Sequence, residues 1–311
     1  MSRTTAMLML VASMAMTGAN VPIAKRLLPE FAPEQLLLLR FALASVVLLP
    51  LSAFESGPPL GSLSKRQWGV IAILAAVGSV LFTSFILAGV QRTSGASAGI
   101  ILAALPAVVA LIGCALGERL RRGELAMIAL AVAGIALVQA NPSASPSGSP
   151  ASSPFAGSEA AIPDALAGNL LILMAVLCEA TFVVAARRIS ADVPPLRLSL
   201  AVAMVSLAMC IAPAWLAQGG APLGGVGIGT WALFGWYTLT ASALCTVLWY
   251  LGVGRVETWA AGLATAAVPV SALAVSALWL GETISLVQLL GAGLIVAAIT
   301  AGTLQGPVTR S

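Results

Sequence analysis

Histidine is absent from this 311-residue chain, and lysine occurs only at Lys25 and Lys65. The first absence excludes histidine metal sites and imidazole proton relays. The second, with no Gly-x-x-x-x-Gly-Lys run in the sequence, excludes ATP hydrolysis through a phosphate-binding loop. Charge of either sign is scarce, at 8% of residues, against about 25% in an ordinary soluble domain. The four cysteines, Cys114, Cys178, Cys210 and Cys245, form no Cys-x-x-Cys pair and lie in apolar runs, so they read as small apolar fillers. A metal or organic cofactor is therefore not expected. An enzyme is not expected either, because one lone mid-segment glutamate without histidine or a paired acid makes no catalytic set.

Apolar residues are what the chain has in excess: 59% of positions, with a mean hydropathy of +1.03. No soluble core absorbs that much apolar surface, so the solvent must be lipid. The net charge of +4 needs no nucleic-acid partner, since basic residues collect in the cytoplasmic loops of membrane proteins. A span takes roughly 20 apolar residues. Ten segments qualify, near Thr5–Ala24, Glu34–Phe54, Trp68–Val90, Gly95–Gly117, Glu124–Ala140, Leu166–Ala186, Leu196–Ala217, Thr230–Gly252, Trp259–Leu280 and Ser285–Leu304. Continuous rather than alternating apolar runs make them helices, not barrel strands. The first lacks a small-residue cleavage site and reads as a span, not a signal peptide.

The segment Leu81–Pro106 returns ungapped, 163 residues later, as Leu244–Pro269. Thr83, Gly89-Val90, Arg92, Gly99 and Pro106 reappear as Thr246, Gly252-Val253, Arg255, Gly262 and Pro269. Two five-helix repeats are expected, 1–140 and 164–311, joined by a Ser-, Pro- and Ala-rich flexible linker at 141–163 that is read as periplasmic. Five is odd, so the second repeat enters the bilayer in the opposite sense, the inverted construction that many secondary transporters use. With both termini cytoplasmic, 11 of the 15 basic residues fall inside, which sets the expected orientation.

Gly18-x-Asn20 followed by Lys25, Pro33 with Arg40-Phe41, and the paired Leu116-Gly117-Glu118 and Leu280-Gly281-Glu282 resemble the EamA repeat of the drug/metabolite transporter superfamily. The resemblance implies a ten-helix secondary exporter of the bacterial inner membrane, moving amino acids, aromatic ones included, or related small metabolites. Alternating access through a largely apolar central cavity is the implied mechanism. A broad drug or metabolite exporter is the alternative within transport; a non-transporting membrane subunit or an intramembrane enzyme is the alternative outside it. Two departures from the family stand out. Thr17 replaces a frequent tryptophan, and the second repeat has Glu179 and Val202 where the first has Thr17 and Arg40.

Glu179 is the only carboxylate well inside an expected helix, where a charge costs about 3 kcal/mol or more. It suits a substrate ammonium or a coupling proton; a structural hydrogen bond is the other reading. Arg40 has the reach to snorkel toward the outer interface, with a substrate carboxylate or Glu30 and Glu34 as partners. Asn20 either contacts substrate or repairs the helix that Pro22 interrupts. Trp236, Tyr237, Trp249 and Tyr250 in the eighth segment, with Phe82 and Phe85 in the third, are the aromatic candidates for stacking on substrate. Trp68, Trp215, Trp231, Trp259 and Trp279 fit an interfacial belt. Pro106 and Pro269, each mid-helix, free the carbonyls of Leu102 and Thr265 and form a matched pair of candidate hinges. The expected partners are a small-molecule substrate, the lipid bilayer and protons.

Overall fold

The computed structural model describes residues 1–90, 92–93, 95–140, 165–216 and 225–305. Ten of its helices are long and apolar enough to cross a bilayer: Arg3–Ala24, Pro33–Ala53, Lys65–Ile86, Ser97–Ala115, Arg122–Gln139, Ala165–Ile189, Pro195–Leu216, Ile228–Val253, Thr258–Leu280 and Leu286–Leu304. In chain order these are the first to tenth spans. There is no strand among the described residues, and the all-α membrane fold is the one expected. The linker expected at 141–163 lies outside the described residues. Side chains such as Leu278 (89% exposed), Ile228 (87%) and Phe54 (87%) cover the outside, an arrangement tolerable only where hydrocarbon is the solvent.

Local sequence explains where the spans start. Pro33 and Pro195 open the second and seventh spans, at the one position where a missing N–H costs nothing. Ser64 with Gln67, and Ser285 with Gln288, close capping boxes at the third and tenth. After the fourth and ninth spans the chain turns back through Gly117 (φ +94°) and Gly281 (φ +68°), a conformation that glycine adopts at no steric cost.

Packing follows the duplication. The first span lies against the eighth and ninth, and the sixth lies against the third and fourth, as an axis exchanging the repeats requires. The second meets the seventh, the fourth meets the ninth, and the fifth meets the tenth across the same axis. Gly89 permits the approach of the third span to the sixth, where a Cβ would fall 2.6 Å from Ile172. Its repeat mate Gly252 does the same against the Ala6 carbonyl, at 2.7 Å.

Both repeats also depart from ideal helix at matched places. Ala76–Leu81 in the third span and Leu239–Leu244 in the eighth are π-helical, separated by the offset that relates Gly89 to Gly252. Such turns shift the face that follows by one residue. The fourth span divides into Gly95–Ala103 and Leu105–Ala115, and the ninth into Thr258–Ala264 and Ala267–Leu280. Pro106 and Pro269 sit just after these breaks, so each span is two helices rather than one bent helix. The Thr265 carbonyl that Pro269 leaves is not free, because the Val268 N–H takes it at 3.1 Å.

The fifth and tenth spans touch backbone to backbone. A Cβ on Gly291 would lie 2.6 Å from the Gly134 carbonyl, whereas one on Gly293 would meet nothing within 4 Å. Gly291→Ala is therefore expected to cost about 1–3 kcal/mol through overpacking. It should lower the melting temperature in detergent, while Gly293→Ala leaves it unchanged or slightly raised.

Candidate functional site

Polar side chains gather where the first, second, sixth and eighth spans converge. Ser13, Thr17 and Asn20 recur at helical spacing along one face of the first span. The Ser13 hydroxyl donates to the Cys245 carbonyl at 2.8 Å and lies 3.2 Å from its sulfur, and Thr17 Oγ1 lies 3.0 Å from the same sulfur. Cys245 is thus the knot that ties the first span to the eighth. Asn20 donates to the Met16 carbonyl at 2.8 Å and accepts from Thr240 at 3.1 Å. It repairs the first helix and bridges to the eighth at once.

Arg40 does not snorkel, nor does it pair with Glu30 or Glu34. It turns inward to donate to the Tyr237 hydroxyl at 3.1 Å, with its guanidinium over the Phe41 and Tyr237 rings at 4.7 and 5.8 Å. Its Nε is buried without a partner. In a membrane interior the tyrosine and the ring faces are closer than water, and cation–π attraction grows as the site dries.

Glu179 lies close to the middle of the 25-residue sixth helix. Its neighbours Cys178 and Ala180 are buried, yet its own side chain keeps part of its surface accessible. Neither of the two ion pairs among the described residues includes it, and it makes no hydrogen bond. Cys245 sits in the field of both the Arg40 guanidinium and the Glu179 carboxylate. Two opposite charges therefore act on one point of the eighth span.

The aromatic candidates divide. Phe82 and Phe85 are half-buried, packed with Ile86, Ile172 and Ala175 between the third and sixth spans. Trp249 and Tyr250 are 2% and 1% exposed, and Phe182 stacks on Trp249 at 6.2 Å. Their polar atoms, Nε1 and the hydroxyl, have no partner, and Tyr250 lies in the field of Glu179. Sequence reasoning missed Ser13, Thr240 and Cys245, and it marks Tyr237 as a stacking ring rather than as the partner of Arg40. The signal was available in the helical spacing of Ser13, Thr17 and Asn20, but the cysteine had been read as filler.

A second polar cluster closes the face that carries Arg3 and Gln305, here the terminal face. Glu118, just past the fourth span, accepts from the Thr258 N–H at 3.1 Å and the Thr258 hydroxyl at 2.8 Å, and pairs with Arg187 at 3.0 Å. Arg187 also donates to the Val256 carbonyl at 2.6 Å. Arg3 pairs with Glu257 at 3.0 Å and donates to the Gly302 and Gln305 carbonyls. Its guanidinium covers Trp259 at 5.7 Å. Trp259 is 3% exposed, so it belongs to this plug and not to an interfacial belt.

The EamA-like transporter family model matches residues 4–140 and 166–301. The chain belongs to the EamA-like transporter family. It is 30% identical over 295 residues to the uncharacterized transporter YetK of Bacillus subtilis (strain 168), covering 93% of this chain and 84% of that protein. The uncharacterized transporter YyaM of the same organism is 23% identical over 293 residues, 94% and 91% of the two chains. A crystal structure with 20% identity superposes with a TM-score of 0.76 over 97% of this chain and 98% of the other, a likeness of fold. The protein is a multi-pass membrane transporter and not an enzyme. Its two matched regions each contain five spans, so the polar cluster around Cys245 lies between the halves of an EamA-type transporter.

The Ser13–Cys245–Thr17 knot predicts non-additive stability. Ser13→Ala should cost about 0.6 kcal/mol, the mean for a hydrogen bond between membrane helices. Because Thr17 engages the same sulfur, Ser13→Ala with Thr17→Val should depart from the sum of the singles by roughly 0.5 kcal/mol or more. Thermal unfolding of the four proteins in one detergent measures it.

Proposed function

We propose that this transporter exports small amino acids or closely related metabolites from the cytoplasm across the inner membrane, by alternating access around the Cys245 cluster. The observation that carries the reading is Glu179: a mid-span carboxylate without a protein partner among the described residues and partly accessible. An unpaired charge at that depth costs several kcal/mol, and a ligand ammonium offsets the cost. A ligand carboxylate finds Arg40, whose Nε is unused. A carboxylate and a guanidinium that both act on Cys245 suit a zwitterion better than a cation or an anion alone.

The terminal face is cytoplasmic in this reading, consistent with the excess of basic residues in its loops. The plug at Glu118, Arg187 and Arg3 then closes the cytoplasmic side, and the conformation faces outward. Inverted repeats supply the second conformation by exchanging their packing. Glu179 is also the one mid-span acid on which a coupling proton could travel, and the same experiment reads that out.

Purified protein in liposomes, given a panel of labelled amino acids on the outside with and without a pH gradient, tests the reading. Uptake of at least one member of the panel is expected, with Glu179→Gln slower by tenfold or more at unchanged reconstitution. Arg40→Met should raise the half-saturating concentration for substrates bearing a carboxylate. Uptake by Glu179→Gln at the native rate across pH would remove this residue from the mechanism.

Pro106→Ala and Pro269→Ala restore an N–H to each broken span. Both variants should insert normally and transport severalfold more slowly, as the helix re-forms across its break. Native rates in both would assign the prolines a static role.

A further inference from the structure

The Glu118 clamp has a positional counterpart on the opposite face, where the corresponding glutamate, Glu282, is unpaired among the described residues. Leu116-Gly117-Glu118 matches Leu280-Gly281-Glu282, and both glycines take positive φ, 94° and 68°. The same turn therefore delivers a glutamate over the end of the bundle at each face. Glu118 uses two partner residues, Arg187 and Thr258, and Arg187 in turn uses Val256; each has a mate by position, although Gly95 lacks the Thr258 hydroxyl. Arg187, in the pair Arg187-Arg188, matches Lys25 in Lys25-Arg26, in the register that relates Glu179 to Thr17. Thr258, which opens the ninth span, matches Gly95, which opens the helix Gly95–Ala103 of the fourth. Val256, whose carbonyl holds Arg187, matches Thr93.

On the terminal face every one of these contacts is made. On the far face the Glu282 side chain is part-exposed, and its carboxylate has neither an ion pair nor a hydrogen bond among the described residues. Two sets of partners with one set engaged are what a two-state element needs, since each state must hold contacts that the other lacks. The chemistry is strong enough to hold a state: a carboxylate on a helix amino terminus gains from the unpaired N–H groups and the dipole, and a cation beside it adds a charge-assisted bond.

We propose that Glu282 is the positioning residue of the inward-facing state, where it caps the fourth span at Gly95 and pairs with Lys25 as Glu118 now caps the ninth and pairs with Arg187. The inference rests on the alternating-access reading but not on the substrate. It makes the two glutamates opposed latches, so weakening one populates the state held by the other.

The test needs no substrate, so a wrong substrate class leaves it intact. In a background with all four cysteines replaced, Thr17→Cys reports access to the central cluster from either side, by labelling with a membrane-impermeant maleimide in oriented vesicles. Glu118→Gln should raise labelling from the terminal face relative to the far face at least threefold. Glu282→Gln should shift the ratio by a similar factor the other way. The charge swap Lys25→Glu with Glu282→Lys should return the ratio to that of the parent, whereas either single reversal should not. An unchanged ratio in Glu282→Gln while Glu118→Gln shifts it, or a swap that fails to restore it, overturns the proposal.

Discussion

Everything in this molecule depends on a backbone that satisfies its own hydrogen bonds in hydrocarbon. That constraint makes every span a helix, and it makes each departure from the helix costly unless protein or a cavity takes up the freed groups. The departures are few and they are paired. A π-helical stretch occurs in the third span and in the eighth, and a break divides the fourth and the ninth. Their recurrence at the repeat offset shows that they came with the duplicated unit. The serines on the π stretches show how the copies then diverged. Ser79 meets Ser206 at 3.2 Å, while its mate Ser242 is buried with no partner for its hydroxyl.

The architecture was legible because lipid enforces a coarse code. Ten apolar runs, an ungapped repeat and an odd number of spans per repeat each follow from composition or spacing, and the chain's own packing needs little else. The site was less so. Arg40 looked like a residue with the reach to escape to the interface, but a tyrosine one span away in space and far away in sequence holds it inside. Trp259 had the sequence position of an interfacial tryptophan, and Arg3 covers it instead. In both cases the deciding neighbour comes from the other repeat, and no local pattern contains that information.

Cys245 is the clearest case of chemistry hidden by residue type. In an apolar run a cysteine is usually a small filler, and here it is the point through which Ser13 and Thr17 fasten the first span to the eighth. Glu118 was legible only as part of a family motif. Its role as the cap of the ninth span needed the turn at Gly117 and the proximity of Arg187.

One carboxylate and one guanidinium at the central cluster, unpaired with each other, have an electrical consequence in the zwitterion reading. With Glu179 ionised, its charge and that of Arg40 sum to zero, and a bound zwitterion keeps the sum at zero. Moving one elementary charge through 100 mV takes about 2.3 kcal/mol, so a carrier neutral in both its loaded and unloaded forms is blind to the membrane voltage. Without a coupled proton, flow in the proposed mechanism then follows the concentration ratio of the cargo alone.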